Sequence, residues 1–142
     1  MGGSCLFLVD DVRLSFRGNS IANNSIVRIT DIGDNMDSRI LCITTNPDCC
    51  AMSDNRMGFW YFPSGREVSF RGSGEDIYRI RSGAESMSST SLATTMLGRR
   101  DERPDARGPT GLYQCVIPDR HGINQTLIVG VYSSNENSEL AR

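Results

Sequence analysis

The chain of 142 residues contains no lysine, so all 15 of its basic side chains are arginines. It also has only one histidine and one tryptophan. The basic residues nearly balance 17 acidic ones, and the formal net charge is -2. Bulk charge therefore predicts neither a nucleic-acid-binding surface nor attraction to an anionic membrane. No stretch approaches the roughly 20 consecutive apolar residues that span a bilayer, so we expect no direct membrane insertion by this segment.

Sequence patterns for catalysis and metal binding are missing as well. The one histidine, His121, falls on a predicted exposed turn, and the chain has no Gly-x-Ser-x-Gly motif and no pair of carboxylates that the pattern brings together. Cys49, Cys50 and His121 are suitable zinc ligands, but no Cys-x-x-Cys or His-x-x-x-His spacing accompanies them, and structural zinc sites usually take four ligands. We therefore expect no enzymatic activity in this domain, no metal and no cofactor.

What the chain does contain is a series of short strand-like runs separated by clusters of Gly, Asn, Asp, Ser and Pro, without helical periodicity. The first run alternates apolar and polar residues, as a half-buried edge strand does. Around Pro63-Ser64-Gly65, two runs form a predicted hairpin. The pattern predicts an all-β fold with strands at residues 11–16, 25–32, 39–45, 58–62, 66–70, 76–81, 91–97, 112–117 and 125–132.

Two cysteines, the tryptophan and a tyrosine occur in an informative order along the chain. Cys42 lies in the third predicted strand, Trp60 follows it, and Tyr113 precedes Cys115 by two positions. This order resembles the immunoglobulin β-sandwich, two antiparallel sheets with Greek-key connections. The resemblance implies a disulfide between Cys42 and Cys115, Trp60 packed on it, and Tyr113 as a tyrosine corner bonded to the preceding loop. The run at 66–70 corresponds to strand C′, which favours the variable type.

Longer segments narrow the resemblance. Residues 60–65, 109–119 and 122–132 are similar to ectodomain repeats of sponge cell-surface proteins, including immunoglobulin domains of receptor tyrosine kinases and adhesion receptors. This similarity implies an extracellular recognition module of a receptor tyrosine kinase-like protein, with any kinase elsewhere in the full-length protein. The implied partner is a protein ligand bound through loops. The alternative is homophilic adhesion, in which a dimer forms with another copy of the receptor through a sheet face.

Two loops and one sheet face are the candidate binding surfaces. In an immunoglobulin-like sandwich, the loops at 46–55 and 119–122 lie at the same end. Arg56, Arg120 and His121 are the candidate ligand contacts there. For the homophilic alternative, the candidate surface is an aromatic patch made by Phe59, Tyr61 and Phe70.

The resemblance also leaves residues over. Pro109 stands where the family usually has an aspartate that pairs with an arginine, so Arg79 or Arg81 could pair with Asp105 instead. Cys5 is expected to pair with Cys49 or Cys50 if the N-terminal segment runs beside that loop, which leaves the other cysteine free or intermolecular.

The domain organisation follows from the same reading. Residues 1–5 are interpreted as an expression start or a mature N-terminus, 6–133 as the immunoglobulin-like domain, and 134–142 as a flexible C-terminal tail. Asn23 and Asn124 begin Asn-x-Ser/Thr triplets and are candidate N-glycosylation sites. Together with the cysteines they favour an excised, extracellular ectodomain of a cell-surface membrane protein.

Overall fold

A computed structural model describes residues 12–44, 58–75, 78–86, 89–96, 110–119 and 123–132. Among these residues, no helix has the length and apolar character needed to cross a membrane. Two single-turn 3₁₀ helices, Ile29–Asp31 and Met36–Ser38, occur in the first range. The strands of the described ranges are β1 Val12–Phe16, β2 Asn19–Ile21, β3 Ser25–Arg28, β4 Ile40–Thr44, β5 Phe59–Tyr61, β6 Ser73–Glu75, β7 Tyr78–Ser86, β8 Ser89–Met96, β9 Gly111–Pro118 and β10 Asn124–Tyr132.

The strands form two packed sheets, which confirms the predicted all-β sandwich. One sheet has the strand order β2-β1-β4-β8-β7-β6, and the other has the order β3-β10-β9-β5. Every neighbouring pair is antiparallel except β3 with β10, which is parallel. The four-stranded sheet is therefore mixed, where two purely antiparallel sheets were expected.

Period-two alternation along the strands builds the interior, because successive side chains of a strand point to opposite faces. In β4, Ile40, Cys42 and Thr44 are buried while the residues between them are partly exposed. In β9, Tyr113, Cys115 and Ile117 are fully buried. The core between the sheets consists of Leu14, Val27, Ile29, Ile32, Ile40, Cys42, Trp60, Phe62, Val68, Ile80, Leu92, Tyr113, Cys115, Ile117, Val129 and Val131.

Two expectations near the N-terminal end are wrong. The strand expected at 25–32 ends at Arg28, and a 3₁₀ turn follows it. The first strand is not at an edge, because β2 pairs with β1 on the side opposite β4. The two-residue turn between β1 and β2 uses Arg17 and Gly18 with φ of 55° and 80°, a geometry typical of tight hairpins.

The hairpin at Pro63–Gly65 forms as predicted, but its second arm does not continue as a regular strand. The Phe62 N–H donates to the Arg66 carbonyl at 2.8 Å, and Gly65 takes a φ of 92°. Beyond that turn, Glu67 makes only an isolated bridge to Tyr61. A C′ strand at 66–70 is therefore not confirmed.

The arm instead crosses from one sheet to the other. The Val68 N–H still donates to the Trp60 carbonyl on β5 at 2.8 Å. The next contacts are with β7, because the Ser82 N–H donates to the Ser69 carbonyl at 3.0 Å and the Ser82 hydroxyl donates to the Val68 carbonyl at 2.7 Å. Ser82 thus holds the arm against the six-stranded sheet.

Candidate partner-binding face

The expected signature residues come together in the interior. The disulfide between Cys42 on β4 and Cys115 on β9 links the two sheets, with 6.6 Å between the Cα atoms. Trp60 lies opposite Cys115 in the register of β5 and β9, is fully buried, and donates its indole N–H to the Thr90 carbonyl at 3.4 Å. This cluster is enclosed by the sheets, so it supports the fold and presents nothing to a partner.

Tyr113 is fully buried beside that cluster. Its ring centroid lies 5.7 Å from that of Phe62, with the planes tilted by 56°. This arrangement is typical of favourable aromatic pairs. The loop to which its hydroxyl was predicted to bond, residues 98–109, lies outside the described residues.

The opposite side of the four-stranded sheet faces solvent, and the register shows which side chains it presents. Since β3, β10, β9 and β5 alternate inward and outward positions, residues paired across them share a side. We call the outward set the outer face. It consists of Ile26, Arg28, Phe59, Tyr61, Leu112, Gln114, Val116, Pro118, Asn124, Thr126, Ile128, Gly130 and Tyr132.

The outer face is apolar for a solvent-exposed surface. Ile26 and Leu112 are each 60% exposed, and Phe59 is 45% exposed. The one charged member is Arg28, whose Nε lies 3.7 Å from the Asp31 carboxylate. Contiguous exposed apolar surface of this kind typically marks an interaction site, whereas single exposed apolar residues do not.

A notch lies in this face where β3, β10 and β9 run side by side. Gly130 stands between Ile26 and Leu112 in the register and has no side chain to fill the gap. A depression of about 140 Å³ results. It is lined by Ile26, Thr110, Gly111, Leu112, Gly130 and Val131.

The expected aromatic patch is only partly on this face. Phe59 and Tyr61 are outward residues of β5, but Phe70 follows the crossing arm and is 70% exposed. The Arg71 guanidinium lies 5.8 Å from its ring centroid. Phe59 and Phe70 both line a cavity of about 420 Å³ at the edge of the sandwich, and Glu67 lines it as well. Phe70 thus borders a groove beside the outer face and does not extend the face itself.

The candidate loop residues cannot be located in the same way. Arg56, Arg120 and His121 lie outside the described residues, as do Cys5, Cys49 and Cys50. The bases of the two loops are described, however, and they meet. The Thr44 hydroxyl, at the end of β4, donates to the Pro118 carbonyl at 2.6 Å. The loops after β4 and β9 therefore leave from the same end of the sandwich.

Asp119 fixes the start of the loop after β9, and sequence reasoning missed it. Its side chain is only 6% exposed. One carboxylate oxygen accepts from the Ile123 N–H at 3.0 Å, and the other accepts from the Gln125 amide at 2.8 Å. The available signal was an aspartate directly after a strand and before a glycine-containing turn, a position where aspartate often bonds nearby backbone groups.

The two candidate glycosylation sites have different environments. The side-chain amide oxygen (Oδ1) of Asn23 accepts from the Ile128 N–H at 2.6 Å, and the Ser25 hydroxyl of the same triplet donates to the Ala22 backbone carbonyl at 2.6 Å. Asn124 and Thr126 are exposed outward residues of β10.

The expected pairing of an arginine with Asp105 is not tested, but Arg81 has a described acidic partner. Arg81 on β7 forms an ion pair with Asp34, in the segment between β3 and β4, whereas Asp105 lies outside the described residues. The hydrogen bond from the Arg81 guanidinium holds the pKa of Asp34 below its ordinary value. Arg39 adds to the joint by donating to the Asp34 backbone carbonyl at 2.9 Å. This cluster holds the β3–β4 connection against β7 of the six-stranded sheet, although the two segments are far apart in the sequence.

Comparison with known proteins places the chain in no family. No protein-family model matches it, and no curated protein matches its sequence. Within the described ranges, no three histidine, cysteine or acidic side chains gather in a way that could hold a metal ion.

Proposed function

We propose that the chain is an extracellular immunoglobulin-like recognition module of a cell-surface receptor, and that it binds a second copy of itself through the outer face. The strand order supports the family assignment. The sequence β1-β4-β8-β7 in one sheet and β5-β9-β10 in the other corresponds to strands A-B-E-D and C-F-G of that sandwich. In this assignment the arm at 66–70 is a C′ strand reduced to one paired residue, Glu67.

The buried disulfide supports the extracellular placement. Cysteine pairs form and persist in oxidising compartments and are rare in the cytosol. Cys42 and Cys115 are both fully buried and lie on different sheets. Their loop spans 73 residues of sequence, so the bond constrains much of the unfolded chain.

The apolar outer face is the observation that carries self-recognition. A face with one charged side chain, itself paired with Asp31, can meet its own copy without like-charge repulsion. It is also apolar enough to favour burial, because Ile26, Leu112 and Phe59 expose large apolar side chains on the same side of the sheet.

The size of the face sets the expected strength. Four strands about 4.8 Å apart, with up to about nine residues rising about 3.3 Å each, cover roughly 400–500 Å². Two copies would therefore bury about 800–1,000 Å² in total, at the lower limit for specific interfaces. We expect a weak, reversible dimer that becomes useful when many copies face each other on apposed membranes.

A charge substitution on the face, with a matched control off the face, tests this proposal. Leu112→Glu places a carboxylate at a 60% exposed position of the outer face, and Met36→Glu does so at a 57% exposed position in the β3–β4 connection. With chains produced without N-glycans, sedimentation velocity over a range of concentrations should show self-association for the parent and for Met36→Glu, and monomer for Leu112→Glu. A parent that stays monomeric, or two variants that behave alike, would refute the proposal.

Ligand binding through the loops is the second candidate, and the contact between Thr44 and Pro118 favours it. That hydrogen bond brings together the bases of the loops that carry Arg56, Arg120 and His121. Combined alanine substitution of those three residues tests the idea. If the loops bind the ligand, ligand capture by the intact receptor is lost while self-association of the domain is unchanged. If capture survives, the loops are not the binding site.

A further inference from the structure

We propose that an N-linked glycan on Asn124 controls access to the outer face, so that self-recognition depends on whether this site is occupied. The inference rests on the proposed function, because it concerns the same surface. The proposed function concerns what the face binds, whereas this inference concerns whether a covalent modification leaves the face accessible.

The register of β10 directs Asn124 toward the outer face. Asn124 pairs with Pro118, and Thr126 pairs with Val116, which pairs in turn with Phe59 on β5. Between them Gln125 points to the other side, where its amide donates to the carboxylate of the buried Asp119 at 2.8 Å. This anchor fixes the alternation, so Asn124 and Thr126 both point outward.

Asn124 is also close enough for an attached glycan to cover the face. Ile128 lies four residues along the same strand, about 13 Å away at the usual rise per residue. Phe59 lies two strands across and about two residues along, roughly 12 Å away. A bulky, hydrated chain of several sugars that starts at Asn124 would reach both positions and prevent a second copy from approaching.

The side chains of this triplet are available for modification. In the described part of the chain, neither the Asn124 amide nor the Thr126 hydroxyl takes part in a hydrogen bond, and both residues are exposed. In the other triplet, the Asn23 oxygen and the Ser25 hydroxyl are both bonded in the turn before β3. Asn124 is therefore the site at which a glycan would meet the outer face with no structural bond to give up.

The test compares chains secreted from glycosylating cells. Thr126→Ala removes the triplet, and Thr126→Ser keeps it with nearly the same change in the side chain. Asn124→Gln removes the acceptor itself. Mass spectrometry of peptides reports occupancy, sedimentation velocity reports self-association, and hydroxyl-radical labelling reports the exposure of Phe59 and Ile128.

We expect an occupied Asn124 in the parent and in Thr126→Ser, with monomeric chains and labelling of Phe59 and Ile128 reduced at least about threefold. Thr126→Ala and Asn124→Gln should associate and, as monomers at high dilution, show full labelling. An unoccupied Asn124, or occupied chains with unreduced labelling, would overturn the inference. If labelling falls with occupancy but the glycan-free variants remain monomeric, the glycan covers the face and the homophilic function is what fails.

Discussion

Replacing Gly130 with alanine should stabilise the fold and weaken self-association at the same time. Gly130 lies inside β10, where glycine costs roughly 0.5–1 kcal/mol relative to alanine because it has more backbone freedom to lose on folding. Its φ lies outside the left-handed region, so alanine can adopt the same backbone. A Cβ there would meet Ile26 Cγ1 at 3.4 Å and Leu112 Cδ2 at 3.5 Å, which are ordinary contact distances to flexible, exposed side chains.

The effect on association has the opposite sign because the added methyl group occupies the notch. The depression between Ile26 and Leu112 is only about 140 Å³, so a methyl group removes a substantial part of it. Burying a Leu-sized side chain is worth about 1.5–3 kcal/mol. If a side chain of the second copy seats in each notch, blocking it should weaken dimerisation by at least about tenfold, since 1.4 kcal/mol corresponds to a factor of ten.

Thermal unfolding and sedimentation equilibrium of the same preparations, made without N-glycans, measure the two effects. The melting temperature should rise by roughly 2–4 °C, as about 1 kcal/mol does for a chain of this size. The dimer dissociation constant should rise at least about tenfold. A lower melting temperature would mean that alanine does not fit beside Ile26. An unchanged dissociation constant with a higher melting temperature would show that the notch is not part of the interface.

Three further predictions concern the scaffold. Replacing Cys42 and Cys115 together by alanine should lower the free energy of unfolding by about 4 kcal/mol, measured by denaturant titration against the oxidised parent, because the loop they close is long. Asp34→Asn should cost up to about 1 kcal/mol at neutral pH, since the ion pair is partly exposed. The pKa of Asp34 is lower in the folded chain than in the unfolded chain. The ionised side chain therefore stabilises the fold above the unfolded pKa of about 4, and this stabilisation is lost as the pH falls through the lower folded value. The difference in free energy of unfolding between Asp34→Asn and the parent should vanish in acid. Thr44→Val should cost about 1 kcal/mol, because the partly buried Pro118 carbonyl loses this donor at the base of both loops, and hydrogen exchange should quicken there before it does elsewhere.

Features set by local pattern were predictable from the sequence. The strand predicted at 39–45 is β4, and the strands predicted at 112–117 and 125–132 are β9 and β10. The turn predicted at Pro63–Gly65 also forms. Short apolar runs bounded by turn residues are a local signal, so these features could be found without knowledge of distant contacts. The turn at Arg17–Gly18 was missed, since arginine is uncommon at a position with φ of 55° and gives no turn signal.

Features set by contacts between distant segments were not predictable. The arm after Pro63–Gly65 alternates like a strand, but Ser82 on β7 donates hydrogen bonds to the Val68 and Ser69 carbonyls, so the arm crosses to the other sheet. The outer face was equally hidden. Ile26 and Leu112 are apolar, so the sequence alone cannot distinguish them from core residues. Only the parallel pairing of β3 with β10 brings them to either side of Gly130 on the solvent side.

The alternation that builds the core also separates the residues that stabilise the fold from those of the proposed binding face. Along β9, Tyr113 and Cys115 are fully buried between the sheets, while Leu112 and Gln114 between and beside them are exposed. A substitution at an outward position changes a side chain that contributes little to the core, so partner choice can vary without loss of the fold. The disulfide strengthens this separation, because it stabilises the sandwich largely through the unfolded chain and needs nothing from the outer face. Hence an outward variant such as Leu112→Glu should change association while leaving unfolding nearly unaltered, and a core variant should do the reverse. If Leu112→Glu instead lowered both the free energy of unfolding and self-association, the outer face would contribute to folding stability and the two properties would not be separate.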